Sequence, residues 1–205
     1  MTHRSRLLLA GLMATLLLSA AVATASANRL STSSQNFRAV WTPLTFAPGP
    51  VECNVTLEGS YHSATITKTV GALIGYVTRA SVDNRSCTGG HATVLTETLP
   101  WHIRYRGYTG TLPNISGVVT GMVGSAFRVE INFFGASCLV RTTAEHPAVG
   151  IINVGTGGVV TGLRADEGTH IPMTNGCELF GEASFTGTAR VTTPGTSTSI
   201  TVRLI

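Results

Sequence analysis

The stretch in which chemically able groups stand closest together is Trp101-His102-Ile103-Arg104-Tyr105-Arg106-Gly107-Tyr108. Side chains on a strand alternate between two faces. An extended reading therefore puts Trp101, Ile103 and Tyr105 on a core side and His102, Arg104, Arg106 and Tyr108 on the other. Two guanidinium groups beside an imidazole and a phenol could hold a carboxylate, a sulfate or an acidic sugar through charge-assisted hydrogen bonds. The competing reading is a solvated face in which Arg104 or Arg106 pairs across strands with an acid such as Glu130.

Elsewhere such residues are dispersed. His62, His91, His146 and His170 follow no ligand spacing such as H-E-x-x-H, so neither a metal site nor a cofactor is expected. The only aspartates, Asp83 and Asp166, stand in polar, turn-like segments. A serine hydrolase needs an acid, a base and a positioned nucleophile, and no G-x-S-x-G elbow occurs. Glu145-His146 and Asp166-Glu167 are the pairs that could meet as acid and base, and no catalytic residue is assigned from them. Gly155-Thr156-Gly157-Gly158 lacks the spacing and the following helix of a phosphate loop and reads as a hairpin tip. Trp41 could stack on a sugar, but core burial is the plainer use of one of only two tryptophans.

The cysteines can be placed more firmly. Cys53 and Cys138 fall on apolar strand faces, while Cys87 and Cys177 follow the turn-like Asp83-Asn84-Arg85-Ser86 and Thr174-Asn175-Gly176. Of three possible pairings, the order strand cysteine then turn cysteine favours Cys53 with Cys87 and Cys138 with Cys177. Each bond would contribute about 3 to 4 kcal/mol in the chain-entropy picture. A four-cysteine zinc site would use C-x-x-C pairs, which are lacking.

The elements that must position these residues are strands. Val51, Cys53, Val55 and Leu57 alternate with Glu52, Asn54, Thr56 and Glu58; Phe127, Val129, Ile131 and Phe133 alternate with Arg128, Glu130 and Asn132. Ala183, Phe185, Ala189 and Val191 do the same, and Pro194-Gly195 then predicts a hairpin back through Ile200, Val202 and Leu204. Further strands are expected at 37–46, 76–82, 92–108, 138–143, 150–154 and 159–164. Only 66–74 has helical spacing, through Ile66, Val70, Leu73 and Ile74, and predicts one short helix. The fold class is all-β: a single-domain antiparallel β-sandwich or β-barrel with at most one short helix.

The first 27 residues read as a signal peptide: basic His3, Arg4 and Arg6, an apolar run Leu7 to Ala21, and the exit Ala25-Ser26-Ala27. Residues 28–205 are then a single secreted β-domain with no integral membrane segment after cleavage. Loss of Arg4 and Arg6 lowers the net charge from +4 to +2. With charged residues only 12% of the chain and no cluster of Lys and Arg, nucleic acid is excluded as a partner.

Arg29-Leu30-Ser31-Thr32-Ser33 through Gln35-Asn36-Phe37-Arg38-Ala39, Ala72-Leu73-Ile74-Gly75-Tyr76-Val77-Thr78, Cys87-Thr88-Gly89-Gly90, Leu99-Pro100-Trp101 and Gly110-Thr111-Leu112-Pro113-Asn114-Ile115 give the chain a likeness. It resembles uncharacterised secreted β-rich proteins of high-GC actinobacteria. That resemblance implies export and brings no activity or site residue. The function expected is an exported noncatalytic β-domain, a binding or surface protein for an extracellular or envelope ligand. The alternative is a secreted hydrolase with an unrecognised active site.

Overall fold

The computed structural model describes residues 29–205 except Pro50, Glu167 and Gly176; the expected leader, residues 1–27, lies outside the described residues. The strands are β1 (Arg29–Thr32), β2 (Asn36–Ala47), β3 (Val51–Tyr61), β4 (Thr65–Thr67), β5 (Leu73–Thr88), β6 (Gly90–Val94), β7 (Trp101–Thr111) and β8 (Asn114–Val123). They continue as β9 (Ala126–Ile131), β10 (Ala136–Arg141), β11 (Ala148–Val154), β12 (Val160–Ala165), β13 (Ile171–Thr174), β14 (Glu182–Thr192) and β15 (Val202–Leu204).

Eight of them make a barrel. β2, β3, β5, β7, β8, β11, β12 and β14 pair antiparallel in chain order, and β14 returns to pair with β2, closing the ring. Closure leaves no barrel edge to protect. The alternation read from the sequence explains the two surfaces. Ala39, Trp41, Leu44, Val55, Leu57, Val77 and Ile103 are buried, while Arg38, Glu58 and Arg79 meet on the outside at 3.6 and 3.8 Å.

Two small sheets stopper the ends. β1 lies between β15 and β4, and all three attach where β2 begins and β3 ends, with Leu30, Ile66, Ile200 and Val202 buried beneath them. At the opposite end, β6, β9, β10 and β13 come from three connections between barrel strands and form a four-stranded sheet. Phe127 of that sheet packs against Phe46, Phe185 and Trp101 at centroid distances of 5.4, 5.5 and 5.4 Å, forming an aromatic floor. Such edge-on contacts add to plain area burial.

Both disulfides join the expected partners. Cys53–Cys87 ties β3 to the end of β5, and Cys138–Cys177 ties β10 to the turn before β14.

Four expectations are corrected. The helix at 66–74 does not form: Thr65–Thr67 is β4, a turn follows, and Leu73 already begins β5. Three threonines and Gly71, whose φ is +82°, favour extended and turn backbone over helix there. The stretch 92–108 divides into β6 and β7 around a single 3-10 turn, Thr96–Thr98. Phe133 is not a core residue but sits 85% exposed in the turn between β9 and β10. The turn at Pro194-Gly195 exists, but β15 leaves β14 after one bridge, Thr192 with Ser199, and pairs with β1.

Candidate functional site

β7 carries the sequence-predicted group, and the structure splits it. Trp101, Ile103 and Tyr105 are buried as expected. Tyr105 lies opposite Thr120, yet the next paired residue is Gly107, opposite Val119, so Arg106 is the extra residue of a β-bulge. Tyr108 consequently falls opposite buried Val118, on the same side as Tyr105 and across the strand from Arg104. Its ring lies 5.7 Å from the Lys68 ammonium, in an open cleft shared with Arg29, Thr67 and Thr69. Burial, and then the neighbouring Tyr108, push the Tyr105 phenol up from its usual pKa.

The three residues left on the outer face have separate tasks. His102 packs at 5.3 Å against Tyr76, which packs at 4.8 Å against His62, giving a row of tilted rings from β7 across β5 to the residue after β3. Arg104 donates from Nη1 to the Gly71 carbonyl at 2.9 Å, while Gly71 N–H donates to the Tyr105 carbonyl, so this arginine clamps the 68–72 turn onto β7. The aliphatic stem of Arg106 lies over Gly121. Glu130, the acid expected to meet an arginine, is on β9 opposite His91 and Ser137. The four residues therefore do not form one anion-binding row.

The acid and base groups that could have met find other partners. Asp166 accepts from the Gly168 N–H of its own turn, and Glu167 lies outside the described residues. His146 contacts the His170 carbonyl at 3.0 Å, and His170 Nδ1 meets Glu182 Oε2 at 2.8 Å. Glu145 is held below the usual carboxylate range, first by its own backbone N–H and then by the Thr143 hydroxyl. The His170–Glu182 pair has the orienting half of a catalytic dyad. Among the described residues no Ser, Thr or Cys side chain bonds to that histidine.

The feature that sequence reasoning missed is inside the barrel. An apolar cavity of about 90 Å³ lies among side chains from β2, β3, β7, β8, β11, β12 and β14. Its existence follows from small residues at facing positions: Ala39, Ala148, Gly150 and Ala165 contribute at most a methyl group each. No ionisable acid, lysine, arginine or histidine lines it. The polar side chains are Thr120, whose hydroxyl donates to the Gly150 carbonyl at 3.3 Å, Tyr61, whose phenol burial pushes up to about 12, and Trp41. The Trp41 indole Nε1 is enclosed and has no hydrogen-bond partner among the described residues. The one sequence signal was the count of small residues on inward strand positions, which becomes informative only once the ring of strands is known.

Comparison with protein-family models, with curated proteins and with solved structures finds no match to this chain.

Proposed function

We propose that this chain is an exported, noncatalytic β-barrel that binds a small apolar ligand in its lumen. The observation that carries the reading is the cavity of about 90 Å³ within a closed ring of eight strands. Native interiors hold few voids larger than a water molecule, and an unfilled void forfeits contacts on every side. An eight-stranded barrel has an interior just wide enough to be filled by side chains or to hold one small ligand. Here the lining stops short of filling it.

Export is supported by the leader pattern ending in Ala25-Ser26-Ala27, by the resemblance to secreted actinobacterial proteins, and by two disulfides, which persist in an oxidising compartment. The ligand is accordingly one met outside the cytoplasm or in the envelope. N-terminal sequencing of exported protein should begin at Asn28; a retained Leu-rich leader would refute cleavage.

The binding reading is tested by thermal unfolding under xenon and with a panel of small hydrocarbons and ketones. A ligand that binds only the folded state raises the midpoint by mass action. Ala148→Leu, which fills the lumen, should remove the rise while unfolding stays cooperative. No rise with any probe would sink the reading.

A further inference from the structure

The two tryptophans make an internal comparison. Trp101 is fully buried, and its indole Nε1 donates to the Thr98 hydroxyl at 2.8 Å. Trp41 is 4% exposed, lines the lumen, and has no acceptor for the same group among the described residues. Buried polar groups almost always find a partner, and an indole N–H is a donor only, so it cannot be satisfied by a neighbouring donor. Leaving it unpaired in an apolar interior forfeits its hydration with nothing in return.

Trp41 stands opposite Val55 on one side and Ala189 on the other, and its ring edge meets the β14 bulge at Gly187. Gly187 has φ +133°, and a β-carbon there would lie 3.3 Å from Trp41 Cδ1 and 2.9 Å from the Pro43 carbonyl. The missing β-carbon at Gly187 thus leaves room for the edge of the Trp41 ring. A phenylalanine would bury a comparable apolar surface without carrying an orphan donor.

We infer that Trp41 is the polar anchor of the lumen, and that the ligand is a compact, uncharged molecule with one hydrogen-bond acceptor, a carbonyl or ether oxygen, that receives the Nε1 hydrogen. This rests on the reading of the lumen as the ligand seat. The absence of any ionisable group other than the Tyr61 phenol excludes ions, because a charge moved into such surroundings would lack a counter-charge. Size is set by the cavity: a cavity of about 150 Å³ accepts benzene, so this one, at about 90 Å³, admits about four non-hydrogen atoms. Met122 lines one side, and its flexible thioether lets the wall yield slightly to different shapes.

A matched pair of probes, isobutene and acetone, tests the assignment on the exported protein. The two differ by one acceptor. Indole N–H signals are followed by NMR, with Trp101 as the internal reference because it already has its partner. Acetone should move the Trp41 signal downfield, leave the Trp101 signal in place, and bind about tenfold more tightly than isobutene once each is corrected for its transfer from water. Trp41→Phe should bind both probes with equal corrected affinity. If both bind the wild-type protein equally, or if Trp41→Phe keeps the preference, the anchor is wrong while the lumen still stands as a ligand seat. Binding of neither probe, with no response to xenon, removes both. If Trp41→Phe does not fold, the downfield shift in the wild type decides alone.

Discussion

A buried polar group is informative according to whether its partner is built in. Ser125 and Thr142 show the built-in case: both are buried, their hydroxyls lie 2.9 Å apart, and Thr142 Oγ1 accepts the Ser125 N–H at 2.9 Å. This clasp extends the pairing of β9 with β10 beyond Ala126 and Arg141. Thr142→Val should therefore cost about 1 to 3 kcal/mol, because it leaves a buried N–H and a hydroxyl unpaired. Denaturant unfolding measures it, and adding Ser125→Ala should recover some of the loss; equal additive losses would mean that the hydroxyls do not act together. Tyr61 makes a pH-dependent counterpart. Its folded pKa of about 12 stands above the usual 10.0, so the neutral phenol is the form that the fold favours. The associated stability is fully present below pH 10 and is lost as pH rises through 12, by about 3 kcal/mol in all. A Tyr61→Phe protein should lack this decline between pH 10 and 12, and a phenolate absorbance titration should lose its latest-titrating component.

At the scale of elements, what could be read from the sequence was what a strand repeats, and what could not be read was what interrupts it. Val51 to Leu57 and Ala183 to Val191 have period two because one side faces the lumen, and both were legible. The bulge at Arg106 has no such mark. Arginine can be paired or bulged equally well, yet one unpaired residue transferred Tyr108 from the arginine face to the Lys68 cleft. Likewise β15 alternates properly, but alternation does not state a partner, and the partner is β1 near the start of the chain. The cysteines escaped this difficulty because a disulfide depends on which segments meet rather than on exact register. Their burial predicts an order of reduction. Cys87 is only partly buried, whereas Cys138 and Cys177 are each 1% exposed. Brief treatment of the folded protein with a mild thiol should open Cys53–Cys87 first, since exchange requires access to sulfur. Alkylation and peptide mapping would show it, and earlier labelling of Cys138 or Cys177 would contradict it.

For the whole molecule, the sign of the alternation decides what surrounds the barrel. A lipid-facing barrel is apolar outside and polar within. Here Trp41, Leu57 and Ile103 point inward while Arg38, Glu58, Arg79 and Arg104 lie outside, so the outer wall is made for water. Both ends are stoppered by small sheets, and a molecule reaching the lumen must pass a stopper or slip between two strands that separate. The shortest ladder of the ring joins β12 to β14. β12 and β14 share three residue pairs, Leu163 with Ala189, Arg164 with Thr188 and Ala165 with Gly187, whereas β2 and β3 share nine. Gly162 precedes that short ladder and Gly187 ends it, and neither contributes side-chain packing. Local opening selects the regions with fewest cooperative contacts. We therefore expect amides of 163–165 and 187–189 to exchange with deuterium faster than those of β2 and β3. A cross-link across the seam, made by Arg164→Cys with Thr188→Cys, should slow both that exchange and the entry of acetone, with both rates restored on reduction. Slowed exchange with unchanged entry would place the ligand's path through one of the stoppered ends instead.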